Sequence, residues 1–363
     1  MHITRLELRQ FRNYEEAELR PCEGVTVLYG NNAQGKTALL EAIVFCCTGR
    51  SHRTSRDKEL IRWGQEAGCV FVQAEKRDGS HEVEMLLSSL RRKTVKVNGS
   101  ALQRTGELMG HVNGVLFAPE DLRMVKDGPA ERRRFIDMEL SQIKPSYYYA
   151  LQHYAHALMQ RNKLLRDVAL KPSLSDMLED WDAQLARYGA AIMRERQAFI
   201  ALISDSAHEN HLEISGGQED LKARYVPSLD AQDEPAQALM KALRVAREMD
   251  VRRGTTSVGP HRDDLMLTLS GMDVRVYGSQ GQQRTTALSL KLAELDIMRR
   301  EIGEWPVLML DDVMSELDPR RRRQLLGRLK GIQTIVTCTD MSDLAEAEIG
   351  AAWRIQNGTI VSE

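Results

Sequence analysis

The sequence predicts an α/β protein with a head assembled from both ends of the chain, a β-rich flank and an inserted antiparallel helical arm. Two strand-like runs, 25–29 and 307–310, each lead directly into polar residues, as buried parallel strands do. Between them, apolar residues over 174–202 recur in alternating steps of four and three, the spacing of helices that pack side by side. We therefore expect strands near both ends of the chain and helices in its middle.

Length and pattern together predict three parts. A chain of 363 residues exceeds one typical domain and can bury a sizeable core. We expect residues 1–130 to form the N-terminal part of the head with its β-rich flank. Residues 131–250 should form the helical arm, and residues 251–363 the C-terminal part of the head.

Composition excludes several classes of protein. Hydrophobic residues make up 42% and charged residues 28% of the chain, close to globular averages. The sequence offers neither a membrane-length apolar run nor a signal peptide, so we expect a cytoplasmic protein without a membrane partner. The formal net charge is -2, so any binding to nucleic acid must depend on local basic patches.

The cysteines indicate a reducing compartment. They are scattered and contain no C-x-x-C pair, which argues against a disulfide framework and against a zinc site. We expect all of them to be buried thiols: Cys22, Cys46, Cys47, Cys69 and Cys338.

Local residue patterns predict the β-rich flank and the helical arm. Alternating residues predict strands at 69–75, 81–87 and 94–97, with turns at Asp78-Gly79 and Asn98-Gly99. Two helical segments, within 147–165 and 174–202, are separated by Lys171-Pro172-Ser173 and should form an antiparallel hairpin in which only Glu195 interrupts the second apolar seam. This hairpin is either an ordinary helical subdomain or a projecting arm.

Beyond the arm, the α/β pattern returns. A polar stretch at 230–235 and a helix ending near Asp250 lead to strand alternation at 265–269. A turn at Ser270-Gly271 should lead to a second strand containing Val274 and Val276. Helical spacing then predicts a helix from Thr285 to about Arg300.

A phosphate-binding loop is predicted near the N-terminus. The motif G-x-x-x-x-G-K-[ST] lies between a predicted strand and a predicted helix, as the P-loop requires. Its backbone N–H groups would surround the phosphates of ATP, Lys36 would reach the β and γ oxygens, and Thr37 would offer a hydroxyl to Mg²⁺. The motif comprises Gly30, Asn31, Asn32, Ala33, Gln34, Gly35, Lys36 and Thr37.

Acidic residues complete the predicted nucleotide site. Asp311 ends the apolar run 307–310 and should lie on the Mg²⁺ side. Asp312 should point elsewhere and orient or deprotonate the attacking water. Ser279 precedes the predicted helix, whose N-terminus is a second location suited to phosphate.

The segments at 279–283 and 315–318 resemble the signature and D-loop of ABC-type ATPase heads. The separation of Lys36 from Ser279 is longer than in transporter subunits, whereas the arm is far shorter than in heads that maintain chromosome structure. On further similar segments, the chain is identified as a member of the RecF family of bacterial recombination mediators, an SMC-like group of DNA-repair ATPases. These segments are 11–14, 51–54, 117–122, 132–135, 259–265 and 277–284.

The resemblance implies an ATP-dependent homodimer, in which two subunits enclose two ATP molecules and Ser279 of one subunit closes on nucleotide held by the other. It places Arg12 near the nucleotide. It also implies binding to duplex, gapped or junction DNA, partnership with RecR and RecO, and help in loading recombinase. The cellular setting would be repair, replication restart and the SOS response in the cytoplasm, near the nucleoid.

Three positions depart from the wider ABC pattern. Asp312 replaces the usual glutamate, Thr339 stands where a switch histidine is common, and Glu120 occupies the place of the Q-loop glutamine. These departures imply slow hydrolysis of ATP, which DNA would stimulate.

Basic residues provide candidate DNA contacts, although charge runs also form ordinary solvated surfaces. The candidates follow the P-loop helix or lie between predicted strands: Arg50, Arg53, Arg56, Arg91, Arg92 and Lys93. The run 320–323 could serve a subunit interface instead. His261 lies in a turn with neighbouring charges, where a structural role is favoured over a metal site.

Two other functions fit parts of the pattern. An ABC ATPase that drives a transporter or another protein machine would need a partner and would ignore DNA. A P-loop kinase would transfer phosphate to a small acceptor, but it would leave the signature-like segment unexplained.

Overall fold

The computed structural model describes residues 1–230 and 234–361, so part of the predicted polar stretch at 230–235 lies outside the described residues. The strands, in chain order, are β1 (His2–Phe11), β2 (Tyr14–Leu19), β3 (Val25–Tyr29), β4 (Ala67–Lys76), β5 (Gly79–Ser88), β6 (Thr94–Val97), β7 (Ser100–Ala101), β8 (Gly114–Phe117), β9 (Leu221–Val226), β10 (Asp264–Leu269), β11 (Met272–Asp273), β12 (Val307–Asp311), β13 (Thr334–Cys338), β14 (Ile349–Gln356) and β15 (Thr359–Val361). The helices are α1 (Lys36–Thr48), α2 (Leu122–Lys126), α3 (Pro129–Ile143), α4 (Pro145–Leu170), α5 (Leu178–Ser215), α6 (Pro235–Arg253), α7 (Val274–Tyr277), α8 (Gln280–Ile302) and α9 (Pro319–Arg328).

The chain forms two compact units. The first contains residues 1–121 and 291–363, and the second contains residues 122–290. These bounds differ from the three predicted parts, because β10, which lies in the C-terminal part by sequence, pairs with β9 next to the arm. The α/β class with an inserted helical arm is confirmed.

A mainly parallel sheet carries the first unit. Its strand order is β15-β14-β3-β13-β12-β8, and only β15 runs antiparallel to its neighbour. Every residue of β12 and β13 is buried, as expected for apolar strands covered on both faces. The predicted strands at 25–29 and 307–310 are confirmed, and they lie on either side of β13.

An antiparallel sheet forms the predicted β-rich flank, in the order β2-β1-β4-β5-β6-β7. The first predicted turn is displaced by one residue: β4 ends at Lys76 and Gly79 opens β5, so the turn residues are Arg77 and Asp78. The second is confirmed, because Asn98 and Gly99 both have left-handed φ angles, of 49° and 77°.

The cysteines are free thiols, but burial was predicted too broadly. Cys46, Cys47 and Cys338 are buried in the first unit, whereas Cys22 and Cys69 are only partly buried. Cys69 lies on β4 before the first fully buried residue of that strand, so sheet alternation leaves it partly accessible.

The predicted antiparallel hairpin is confirmed in the second unit. Lys144, just before α4, lies 2.7 Å from Glu195, and Arg161 in α4 lies 2.6 Å from Asp182, so successive contacts run in reverse order along α5. Glu195, which interrupts the apolar seam, is therefore satisfied by an ion pair. The break between the helices is a short 3₁₀ turn, Pro172–Met177, so the second helix begins later than the spacing predicted.

A buried ionic cluster holds the arm to the end of α6. The Arg161 side chain, on the predicted apolar stripe of α4, is fully buried. It donates hydrogen bonds to Asp182 at 2.6 Å, to Asp250 at 2.8 Å and to Thr256 at 2.9 Å. Because an unpaired buried charge is costly, these partners fix where α4, α5 and α6 meet.

Two predictions near the signature segment are wrong. Val274 and Val276 lie in α7 rather than in a strand, because the Asp273 side chain accepts a hydrogen bond from the Arg275 N–H and caps a helix there. The helix predicted from Thr285 begins at Gln280, since polar side chains cap its first turn.

His261 has the structural role that the sequence favoured. Its ring nitrogens lie 2.7 Å from the Tyr154 hydroxyl and 3.0 Å from the Thr256 carbonyl, and burial lowers the pKa of His261 to about 4. Within residues 1–230 and 234–361, no group of three or more acidic, histidine and cysteine side chains is arranged to hold a metal ion. In the same residues, no helix combines the length and apolar character needed to cross a membrane.

Candidate functional site

Three neighbouring parallel strands bring the predicted nucleotide residues together. The loop 30–35 connects β3 to α1, and Asp311 ends β12. Between them lies β13, in which Thr337 pairs with Leu28 on one side and with Asp311 on the other. Because parallel strands end at the same edge of a sheet, Thr37 and Asp311 meet although they are far apart in sequence.

The loop backbone requires its glycines. At Gly30, with φ of 144°, an added Cβ would lie 2.4 Å from the Ile355 carbonyl oxygen. At Gly35, with φ of 117°, a Cβ would lie 2.6 Å from the side-chain nitrogen of Asn13. Ala33 also has a left-handed φ of 64°. A side chain at either glycine would therefore force the loop away from its supporting residues.

The ammonium of Lys36 lies inside this loop. Lys36 is buried, and its Nζ donates hydrogen bonds to the carbonyl of Gly30 and, at 3.0 Å, to that of Asn31. Burial lowers the pKa of Lys36, and the nearby Asp312, Cys338 and Asp311 oppose that shift. The cation is thus fixed where a phosphate enclosed by the loop would meet it.

A shared carboxylate oxygen links the three strand ends. Thr37 Oγ1 donates to Asp311 Oδ1 at 2.9 Å, and Thr337 Oγ1 donates to the same oxygen at 2.7 Å. Burial raises the pKa of Asp311 against the effect of these two hydrogen bonds, and Glu120 and Asp312 raise it further. A hydroxyl and a carboxylate side by side are hard oxygen ligands that fit Mg²⁺.

Asp312 differs from Asp311 in conformation. Its φ of 54° is left-handed, and its backbone N–H donates to Thr337 Oγ1 at 2.9 Å. A non-glycine residue in this region carries strain of about 1 kcal/mol or more, which is common at functional sites. The chain therefore turns directly after Asp311, and the charge of Asp312 acts on Lys36.

The loop rests on two turns that lie elsewhere in the sequence. Asn13 Nδ2 and the Gly358 N–H both donate to the Gln34 carbonyl, at 2.9 and 3.0 Å. The Tyr14 hydroxyl donates to the Gly35 carbonyl at 3.1 Å, and the Asn357 N–H donates to Gln34 Oε1 at 2.7 Å. Asn357 and Gly358 were not among the predicted site residues, although an Asn-Gly pair is a local turn signal.

Of the departures from the ABC pattern, Thr339 contacts the loop and Glu120 acts on Asp311. The Thr339 hydroxyl donates to Asn32 Oδ1 at 3.3 Å. Glu120 is exposed in the 3₁₀ turn Pro119–Asp121, and its charge acts on Asp311. Both side chains thus lie beside the loop–carboxylate arrangement.

Arg12 contacts α1 rather than the loop. Its guanidinium donates to both carboxylate oxygens of the fully buried Glu41, at 2.8 and 2.6 Å. Ser51 donates to the same carboxylate at 2.5 Å, and Arg53 lies 3.5 Å from it. Burial tends to raise the pKa of Glu41, but the hydrogen bonds from Arg12 and Ser51 leave it lowered. The contacts give Arg12 an anchoring role, and its contact with nucleotide stays a prediction.

The candidate DNA residues differ in availability. The side chains of Arg50, Arg91 and Arg92 are exposed, and Arg56 is exposed beside Glu59 at 3.5 Å. Lys93 instead donates to the Gly49 carbonyl at 2.7 Å and to Asp57 at 2.8 Å. The cation of Lys93 therefore stabilises the protein's own loops.

Ser279 caps α8 in the second unit. Ser279 Oγ accepts from the Gln282 N–H at 3.2 Å, and Gln282 Oε1 accepts from the Ser279 N–H at 2.8 Å. This reciprocal pair is a capping box, which leaves the start of the helix ordered and exposed. The side chains of Val276 and Tyr277, just before it, are also exposed.

Comparisons with known proteins show the family of the chain. The family described as RecF/RecN/SMC N terminal domain matches residues 2–360. A DNA replication and repair protein RecF from Acetivibrio thermocellus is 43% identical, with 94% of each chain covered, and one from Lachnospira eligens is 42% identical over the full length of both.

Solved structures are similar as well. The structure of the recombination mediator protein RecF-ATP in the RecFOR pathway has a TM-score of 0.93 and 37% identity, covering 99% of this chain and 97% of that one. An Smc head domain with an extended coiled coil from Pyrococcus furiosus has a TM-score of 0.59 and 18% identity, covering 100% and 96%, and shows the shared fold alone.

We expect Gly358→Ala to weaken nucleotide binding although Gly358 lies outside the P-loop motif. A Cβ there would lie 2.4 Å from the Asn13 carbonyl oxygen, so the support of Gln34 would shift. The dissociation constant of a fluorescent ATP analogue should rise about tenfold or more, since small displacements of binding groups have large effects.

The matched control is Gly331→Ala. Gly331, like Gly358, has a left-handed φ, in this case 76°, but no atom lies within 4 Å of the added Cβ. Both variants carry a similar backbone cost of about 1–2 kcal/mol, and only Gly358→Ala should lose affinity. Equal affinities in the two variants would contradict the supporting role of the Asn357-Gly358 turn.

Proposed function

This chain belongs to the RecF/RecN/SMC family and, within it, to the RecF proteins, and from that premise we propose that it is an ATP-gated, DNA-binding homodimer of recombinational repair. The observation that carries the proposal is the meeting of Lys36, Thr37 and Asp311 at one edge of the parallel sheet. The similar structure of RecF-ATP supports ATP as the nucleotide.

Different residues at this edge of the sheet would bind the phosphates of ATP and the Mg²⁺ ion. Backbone N–H groups of the loop and the Lys36 ammonium would hold the phosphates, while Thr37 and Asp311 would hold Mg²⁺. The metal would supply neutralisation of phosphate charge. Arg12, through Glu41, would keep α1 and the segment after it in place around the nucleotide.

Hydrolysis should be slow. Asp312 is the proposed group that orients or deprotonates water, and its shorter side chain reaches less far than the usual glutamate. Thr339 would replace the switch histidine with a hydroxyl, which cannot accept and release a proton near neutral pH as imidazole can. Glu120, whose charge acts on Asp311, would lie on the metal side, and DNA would stimulate turnover.

A second copy would complete each site. Ser279 lies at the exposed, capped N-terminus of α8, a location suited to the phosphate oxygens of nucleotide held by a partner. The exposed side chains of Val276 and Tyr277 beside it support an interface at this surface. Two ATP molecules would thus be enclosed between two subunits, and their hydrolysis would reopen the dimer.

Closure of the dimer around ATP would bring exposed basic residues into contact with DNA. Arg50, Arg53, Arg56, Arg91 and Arg92 are proposed to contact backbone phosphates of duplex, gapped or junction DNA. The biological task would be to help load recombinase at gaps with RecR and RecO. It would support replication restart and the SOS response in the cytoplasm, near the nucleoid.

Light-scattering mass tests this proposal. The 41.1 kDa chain should double in mass with ATP and Mg²⁺ and then retain a short DNA duplex. Lys36→Ala and Ser279→Ala should stay monomeric and release the duplex, because each removes one half of the composite site. A wild-type chain that stays monomeric and ignores DNA under every condition would overturn the proposal in favour of another protein machine.

Asp311→Asn should abolish the hydrolysis of ATP without lowering the melting temperature. The raised pKa of Asp311 means that ionisation costs folding free energy, and that this cost grows as the pH rises through the pKa. Asparagine can still accept from Thr37 and Thr337, so the melting temperature at pH 7 should equal or exceed that of wild type, and this advantage should shrink as the pH falls to the ordinary pKa of an aspartate. Release of phosphate from ATP should be lost, because the charged metal ligand is gone. Retained hydrolysis would contradict the metal role of Asp311.

A further inference from the structure

The most exposed aromatic side chain of the described residues has no role in the site above. Trp63 is 98% exposed. Removing such a ring from water in a complex is favourable, at about 25 cal/mol per Å² of apolar surface, which makes Trp63 a candidate contact residue. Leu90, which is 80% exposed, is the other strongly exposed apolar side chain of the antiparallel-sheet region.

Backbone hydrogen bonds define the turn that carries Trp63. The Gln65 N–H donates to the Arg62 carbonyl at 3.0 Å, and Gly64 has a left-handed φ of 83°, which places Trp63 at the corner of a type II turn. The Arg62 N–H donates to the Gln10 carbonyl at 2.9 Å, and Ile61 forms a β-bridge with Phe11. The indole is therefore presented by a turn fastened to the core of the first unit.

A second ordered loop lies beside this turn. Ser88 Oγ accepts from the N–H groups of Leu90 and Arg91, at 3.2 and 3.3 Å. The Ser89 N–H donates to the Glu66 carbonyl at 2.8 Å, which joins the loop to the chain just after the Trp63 turn. We call Trp63, Leu90, Arg91 and Arg92 the aromatic tip.

Charge around the aromatic tip favours a polyanion. Arg91, Arg92 and Lys58 are exposed cations without an ion pair among the described residues. Most nearby acids are already neutralised by partners: Glu15 by Arg62, Asp57 by Lys93 and Glu59 by Arg56. Glu66 is the exposed acid that lacks such a partner within the described residues. The uncompensated charge is thus positive, beside an exposed ring.

We propose that the aromatic tip recognises the end of a duplex segment at a gap or junction, with Trp63 stacking on the exposed face of the terminal base pair. Bases inside a duplex are covered on both faces, whereas the terminal pair beside a single-stranded gap offers one free face. Arg91 and Arg92 contact the phosphates next to it. This inference rests on the proposed DNA-binding function and adds the residues that would distinguish the end of a duplex segment from continuous duplex.

The test compares two DNA molecules in the presence of ATP and Mg²⁺. One is a covalently closed duplex circle without ends, and the other is the same sequence with a single-stranded gap. Wild type should bind the gapped molecule more tightly. Trp63→Ala should lose about tenfold of the affinity for gapped DNA, the loss expected for one base–aromatic stack, and keep its affinity for the closed circle.

Three further variants make the result specific. Trp63→Phe should keep the preference, because phenylalanine still stacks. Leu170→Ala removes a side chain that is 88% exposed at the end of α4 and should change nothing. Arg91→Ala with Arg92→Ala should weaken binding to gapped DNA and reduce its dependence on salt by about one unit of slope for each lost phosphate contact.

The outcomes distinguish a failure of this inference from a failure of the proposed function. If wild type prefers gapped DNA and Trp63→Ala keeps that preference, the inference is overturned while the proposed function stands. If Trp63→Ala loses only the binding of a purified protein partner, the aromatic tip is a protein-docking surface and the inference is again overturned. If wild type binds neither DNA molecule, the inference fails together with the proposed function.

Discussion

The Asp311 carboxylate, with two hydroxyls donating to one of its oxygens, is the interaction on which the rest of the site depends. Thr37 comes from the start of α1 and Thr337 from β13, so the contact joins three segments that are distant in sequence. It can form only because β3, β13 and β12 are parallel neighbours whose ends share one edge. The same contact keeps a buried carboxylate beside the P-loop, where its charge is most useful to a bound cation.

The conformation of the P-loop depends on contacts with the rest of the head as well as on its own motif. Its glycines allow close approach to Ile355 and Asn13, and the Asn357-Gly358 turn holds Gln34 from the other side. The anchoring of α1 by Arg12 and Glu41 extends this support toward the segment that carries the proposed DNA contacts. Nucleotide binding and DNA binding are therefore proposed for surfaces that these contacts connect within the first unit.

Sequence patterns predicted the elements whose signals are local. The strand at 25–29, the loop after it and the buried strand ending at Asp311 were evident from composition and spacing, and topology then brought their ends together. The cap at Asp273 and the capping box at Ser279 were also local signals, but strand alternation at Val274 and Val276 concealed the first of them. Contacts such as Gly358 with Gln34, Arg161 with Asp250, or Lys93 with Asp57 depend on tertiary placement, which no short window of sequence contains.

In the proposed dimer, a composite site holds each ATP between Lys36 of one subunit and Ser279 of the other. Mixing equal amounts of Lys36→Ala and Ser279→Ala tests it most directly, because a mixed dimer contains one intact composite site and one site that lacks both residues. We expect each variant alone to release almost no phosphate from ATP and the mixture to recover activity at the single intact site. A mixture as inactive as its two components would show that the two residues do not act in one composite site.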